Sequence, residues 1–245
     1  MWDNPRLLNL VANVLIAITL AVLAVAAIRM VLASSLFPLR ELTVQGALAH
    51  TSRGELEAAT RGRASGNFFA VDLAAVREAL EKLPWVRRAD VRRVWPDRIE
   101  VSLEEHVALA RWGDVALVNN FGERFGGDTD ASLPIFAGPP RTETEVARRF
   151  VRYAHLLAPL GGKLERVILT PRYAWQLRLS GGLSIELGRD LPNDPADARL
   201  ARFVAAYPQS LGRLALRHEY VDLRYPNGFA LRVPEFERSG AKAKG

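Results

Sequence analysis

Apolar side chains run without a charge through residues 7–28, LLNLVANVLIAITLAVLAVAAI, broken only by Asn9, Asn13 and Thr19. A helix rises about 1.5 Å per residue, so this run can cross a hydrocarbon core of roughly 30 Å. A buried soluble helix would keep a polar stripe, and none is present. A cleaved signal peptide carries an apolar stretch of only about 7–15 residues. The small residues of AVAA near the end of the run leave cleavage open, but its length favours an uncleaved span. Arg6 precedes the run and Arg29 and Arg40 follow it, so flanking charge does not orient it.

Beyond the connector RMVLASSLFP the period of the pattern shortens. LRELTVQG alternates Leu42 and Val44 with Glu41, Thr43 and Gln45, which predicts a strand stopped at Gly46. TSRGELEAATRG places Ser52 and Glu55 at capping-box spacing before a helix that Gly62 ends. In NFFAVDLAAVREALEKLP, Asp72 serves as N-cap and Leu73, Val76, Leu80 and Leu83 recur at helical spacing. Glu78 and Lys82 form an i,i+4 pair, and Pro84 closes the helix. LPWVRRADVRRVWPDRIEVSLEEHVALA then reads as two strands around Pro96-Asp97. Ala89, Val91, Ile99, Val101 and Leu103 face one way, and Arg88, Asp90, Arg92, Arg98, Glu100 and Glu104 face the other. Arginines opposite glutamates on antiparallel neighbours are ordinary cross-strand pairs, worth about 0.2–1 kcal/mol each. These arginines therefore read as the solvated side of a strand-helix-helix-strand-strand unit.

From about Val107 the chain is rich in strands with inserted helices. ALVNNFGERF predicts a strand, a turn and a return, and DTDASLPIFAGPP predicts a loop. TETEVARRFVRYAHLLAPLGG predicts a helix with a capping box at Thr142 and Glu145, an apolar face of Val146, Phe150, Tyr153 and Leu157, and a stop at Gly161-Gly162. YAWQLRLSGGLSIELG is a hairpin turned at Gly181-Gly182. NDPADARLARFVAAYP predicts a helix with Pro195 near its first turn and Leu200, Phe203, Val204 and Tyr207 inward. EYVDLRYPNGFALRV predicts two strands around Pro226, Asn227 and Gly228, and PEFERSGAKAKG has the composition of a disordered tail.

Composition narrows the chemistry. The chain of 245 residues has no cysteine, which excludes disulfides and thiolate metal sites. Its net charge of +6 rests on interspersed arginines without a like-charge block, a mildly basic solvated surface and not a nucleic-acid patch. His50, His106, His155 and His218 are scattered without metal-ligand spacing, and no nucleophile-elbow, P-loop or dinucleotide motif occurs. The carboxylates have local explanations as caps or solvated strand positions. No cofactor, metal or small-molecule substrate is expected, and an exported, membrane-anchored binding module fits better than an anchored hydrolase.

The segments FFAVDL, LPWVRRADVRRVWPDRIEVSLEEHVALARW, LVNNFGERF, LARFVAAYP and YVDLRYPNGFAL occur in the order found in the bacterial cell-division family FtsQ, called DivIB in some bacteria, which the chain resembles over nearly its whole length. The resemblance implies an α+β chain. Its parts are a cytoplasmic N-terminus (1–6), a transmembrane helix (7–28), a POTRA domain (37–106), a C-terminal β domain (107–234) and a disordered tail (235–245). It further implies an inner-membrane protein with a periplasmic bulk, enriched at the septum. Such a protein is a non-catalytic scaffold that binds FtsB and FtsL, linking early to late division proteins, with other divisome proteins as further partners through the POTRA and transmembrane segments. The FtsB contact would be strand addition at the C-terminal sheet edge. The matching positions are Arg224, Tyr225, Asn227, Gly228, Phe229, Ala230, Leu231, Arg232 and Val233, with Arg199 or Arg202 on the preceding helix. In that contact Arg224 would hold a partner carboxylate by a bidentate pair. The alternative reading is a POTRA-type chaperone or translocation accessory protein.

Overall fold

The computed structural model describes residues 5–33, 37–64, 66–210, 219–225 and 228–232. The chain divides into two units, Met1–Glu105 and His106–Gly245.

The first unit opens with α1 (Pro5–Ala33), which extends past the uncharged run at both ends. Its segment Asn9–Val31 is apolar and long enough to cross a membrane, and none of it is buried against the rest of the chain. Then follow β1 (Glu41–Gln45), α2 (Arg53–Thr60), α3 (Leu73–Glu81), β2 (Val86–Val94) and β3 (Arg98–Glu105). The strands pair in the order β1-β3-β2, with β1 parallel and β2 antiparallel to the central β3. Both expected caps form. Ser52 Oγ accepts from Glu55 N while a Glu55 carboxylate oxygen accepts from Ser52 N at 2.7 Å. Asp72 accepts from the amides of Ala74 and Ala75. The two helices and the sheet enclose Leu56, Val76, Leu80, Val91, Ile99, Val101 and Leu103. Gly46 ends β1 at φ 143°, where a Cβ would lie 2.6 Å from Leu103 O, so no larger residue fits.

The arginines of β2 divide into two groups. Arg92 pairs with Glu100 across the sheet at 2.8 Å. A bulge between Val86 and Arg88 brings Arg87, and not the register partner Arg88, to Glu104 at 2.8 Å. Arg93 has the parity of the inward residues. Its guanidinium bonds the carbonyls of Phe68, Phe69 and Val71, clamping the loop before α3 to the sheet.

Glu105, at the end of β3, fastens the loop before α2. Its carboxylate accepts from the amides of Ala49 at 2.8 Å, His50 at 3.2 Å and Thr51 at 2.7 Å. His50 also stacks on Trp85 at 3.7 Å.

The second unit contains β4 (Ala108–Trp112), β5 (Ala116–Asn119), β6 (Arg124–Phe125), β7 (Ile135–Ala137), α4 (Glu143–Leu157), β8 (Leu164–Leu169), β9 (Ala174–Leu179), β10 (Ser184–Arg189), α5 (Ala196–Ser210), β11 (Tyr220–Asp222) and β12 (Ala230–Arg232). They form one nine-stranded sheet in the order β12-β11-β10-β9-β8-β7-β4-β5-β6. Helices α4 and α5 pack with it around Phe136, Tyr153, Leu157, Val167, Leu177, Ile185, Leu200, Phe203 and Val221. Arg149 ties the two helices to the hairpin. It pairs with Glu145 at 3.0 Å, Asp190 at 2.8 Å and Asp197 while lying over the Trp175 ring.

Two local expectations are corrected. The predicted loop DTDASLPIFAGPP contains β7, which is parallel to both β4 and β8 and completes the middle of the sheet. Only three residues between prolines take part, too few for alternation to emerge. Thr142 precedes α4 but does not cap it, because its hydroxyl donates to Pro139 O at 2.7 Å.

The Glu105 clamp carries a pH signature. Burial pushes its carboxyl pKa up, but the hydrogen bonds from Thr51 and from the amides of Ala49 and His50 outweigh burial and hold it at about 2. A depressed carboxylate stabilises the fold above its unfolded pKa, and the contribution is lost as pH falls through the folded value. Glu105→Gln is expected to destabilise the chain by about 1–2 kcal/mol at neutral pH. The gap should close on acidification toward about pH 2, as read by urea unfolding of the detergent-solubilised protein.

Candidate partner-binding edge

Among the described strands, β12 stands at one end of the sheet. Among the described residues β12 pairs with β11 alone, antiparallel, with Tyr220 opposite Arg232, Val221 opposite Leu231 and Asp222 opposite Ala230. Parity sets the faces. Val221 is buried and Leu231 packs against the core beside it, while Ala230 and Arg232 are exposed. Phe229 meets Phe203 of α5 edge-on at 5.5 Å, which fixes the start of β12 against the helix.

Between α5 and this edge lies a cleft of about 290 Å³, lined by Arg199, Arg202, Phe203 and Ala206 from the helix and by Leu223, Tyr225, Gly228 and Phe229 from the chain around β11 and β12. Two sequence segments singled out separately therefore meet at one place. Tyr225 is 55% exposed at its rim. Asn227, Pro226 and Val233 lie outside the described residues, as do the tail 235–245 and residues 1–4.

The two candidate arginines of α5 have different environments. Arg199 is buried, and its guanidinium bonds Leu187 O at 2.9 Å, Arg189 O, Asp194 O and an Asp194 carboxylate oxygen at 3.1 Å. It joins α5 to β10 and the intervening loop. The Arg202 side chain is 55% exposed and reaches the other Asp194 oxygen at 2.7 Å. Held first by the Arg202 hydrogen bond, and against burial, the Asp194 carboxyl lies below its ordinary pKa.

Arg224 is also committed within the chain. Its Nε donates to both Asp222 oxygens, at 2.9 and 3.0 Å, and Nη2 donates to Oδ2 at 2.6 Å. The bidentate carboxylate pair expected with a partner is thus made with Asp222 along the Nε–Nη2 edge. A partner carboxylate would meet the guanidinium end that carries Nη1. This pair lowers the pKa of Asp222, chiefly through the Arg224 hydrogen bond and against burial. Gly188 makes room for the arginine. At φ 75°, in the bulge of β10, it would place a Cβ 2.8 Å from Arg224 Cγ. Glu186, in register with Asp222, has its pKa raised first by burial.

Sequence reasoning named neither Asp222 nor Asp194. Asp222 stands two residues before Arg224, so strand parity puts both on one face, and that spacing was the available signal.

Residues 37–106 match the FtsQ-type POTRA domain, and residues 110–224 match the C-terminal domain of cell division protein FtsQ/DivIB. The cell division protein FtsQ of Burkholderia pseudomallei is 45% identical over 236 residues, covering 95% of this chain and 94% of its own. FtsQ of Nitrosospira multiformis is 40% identical over 95% of this chain and 99% of its own, and FtsQ of Bordetella pertussis is 38% identical over 100% and 98%. The two matched segments and the long, similar relatives agree: the chain belongs to the FtsQ/DivIB family of cell division proteins.

Proposed function

We propose that this protein is a non-catalytic scaffold of the division machinery that captures FtsB by strand addition at β12 and works with FtsB and FtsL to link early and late division proteins. Its N-terminus lies in the cytoplasm, its two folded units lie in the periplasm, and the protein gathers at the septum of the inner membrane. The observation that carries the reading is the position of β12. It lies at the end of the sheet, next to a cleft lined by Arg202, Tyr225 and Phe229. A strand at the end of a sheet can offer main-chain donors and acceptors to an incoming strand, and side-chain pockets beside it select the sequence that docks.

Magnitudes divide the work between edge and cleft. A strand of three residues offers a partner only a few main-chain bonds, each contributing about 0.5–1.5 kcal/mol net. Their sum is no more than millimolar binding requires, about 4 kcal/mol. The cleft must supply the rest. Tyr225 offers a large amphipathic ring, and Arg202 a cation tethered on one side to Asp194.

A photo-crosslinking residue at Ala230 or Arg232 of the full-length protein should capture FtsB, and Leu231→Pro should abolish capture by removing an amide and bending the edge. Crosslinks to FtsB that persist undiminished in the proline variant would overturn strand addition. The two α5 arginines should separate. Arg202→Ala should weaken FtsB binding about tenfold, a loss of roughly 1.4 kcal/mol, with an unchanged melting temperature. Arg199→Ala strands several buried carbonyls and Asp194, and should cost about 3 kcal/mol of stability in denaturant titration.

A further inference from the structure

The end of the first unit nearest α1 gathers exposed aromatic rings that the core does not use. Trp95, at the tip of the β2–β3 hairpin, is 74% exposed, and Phe69 is 40% exposed. Phe69 stacks edge-on with Phe37 at 5.2 Å. Three segments meet here through backbone bonds. Phe68 N donates to Phe37 O at 2.8 Å, Leu39 N donates to Gly66 O at 2.9 Å, and Arg40 N donates to Asp97 O at 3.0 Å. Residues 37–40 are therefore held between the loop that carries Phe69 and the turn that carries Trp95.

Covalent geometry brings this end to the bilayer. Helix α1 has 29 residues, about 43 Å at 1.5 Å each, so it overshoots a hydrocarbon core of roughly 30 Å and ends in the headgroup layer. Phe37 follows Ala33 by four residues, a reach of no more than about 14 Å even when fully extended. Phe37 therefore stays within about 14 Å of the headgroup layer in which α1 ends. The Trp ring, with an apolar body and a polar N–H, favours that layer, and the phenyl rings beside it add apolar area that can insert at the acyl boundary.

Charge at this end is balanced. Arg40 lies 3.9 Å from Asp97, and Arg98 lies 3.7 Å from Glu41. Attraction to net negative lipid is then not the main force, whereas insertion of rings is indifferent to salt.

We infer that Phe37, Phe69 and Trp95 form an interfacial anchor that seats the first unit on the lipid headgroups around its own membrane span. The anchor holds the first unit against the bilayer beside its own span.

The chain has no cysteine, so one introduced at exposed Ala70, beside Phe69, takes a unique fluorophore, and one at exposed Ala47, past the end of β1 opposite Phe37 in the same unit, serves as a control. The full-length protein is reconstituted in vesicles of phosphatidylethanolamine and phosphatidylglycerol doped with a headgroup spin-labelled lipid. The fluorophore at Ala70 should be quenched more strongly than the one at Ala47, in low and high salt alike. Trp95→Ser, a change at an exposed tip, should remove most of the quenching at Ala70 while leaving thermal unfolding and FtsB capture unchanged. Phe69→Ser should act in the same direction. Quenching at Ala70 that survives Trp95→Ser would mean that the tether alone keeps the unit close, and would overturn the anchor. Equal quenching at both positions, or quenching abolished by salt, would do the same.

Discussion

A strand at the end of a sheet turns one edge, a row of amide and carbonyl groups, away from its neighbour, and among the described residues β12 holds that place. Much of the neighbouring structure holds that row in a fixed place. Leu231 inserts toward the core beside Val221, and Phe229 leans on Phe203. Arg224 is gripped by Asp222 on the adjoining strand, with its stem over Gly188. Arg199 locks α5 to β10 from inside, so the helix wall of the cleft stays in position while Arg202 is left at its surface. A partner that meets a preformed edge loses less entropy on docking, which matters when the edge is three residues long.

The abundant arginines have three distinct duties. Arg92 and Arg87 neutralise glutamates across a solvated face, where such pairs contribute little. Arg93, Arg149 and Arg199 act as internal clamps, each spreading several donors over carbonyls or carboxylates of other elements. The planar, multidentate guanidinium suits that work better than an ammonium. Arg202 and Arg224 lie at the rim of the cleft or beside it, each half-engaged by an aspartate of its own chain.

Legibility in the sequence followed the length and regularity of each signal. The β9–β10 hairpin, the Ser52 and Asp72 caps and the apolar faces of α4 and α5 are written in periods and cap residues that need no tertiary context. The strand β7 has three residues hemmed by prolines, and its place is set by the neighbours on either side. Thr142 had the spacing of a cap, but the preceding Pro139 carbonyl competed for its hydroxyl. Of the site, the two C-terminal strands were legible in the residues, whereas the individual contact positions came through resemblance. The contrast between Arg199 and Arg202 was available from helical spacing, since Arg199 lies four residues before buried Phe203 and three after buried Ala196. The engagement of Arg224 by Asp222 is a local pair two residues apart, for which strand parity was the signal.

Strand addition at β12 runs through backbone groups, so backbone amides report on it most directly. Hydrogen exchange of the full-length protein in detergent, with and without FtsB, resolves protection at residues 229–232. Strand addition predicts slowed exchange there at alternate amides, with little change at β6 on the far side of the sheet. Saturating FtsB that leaves those amides exchanging as in the free protein would contradict it.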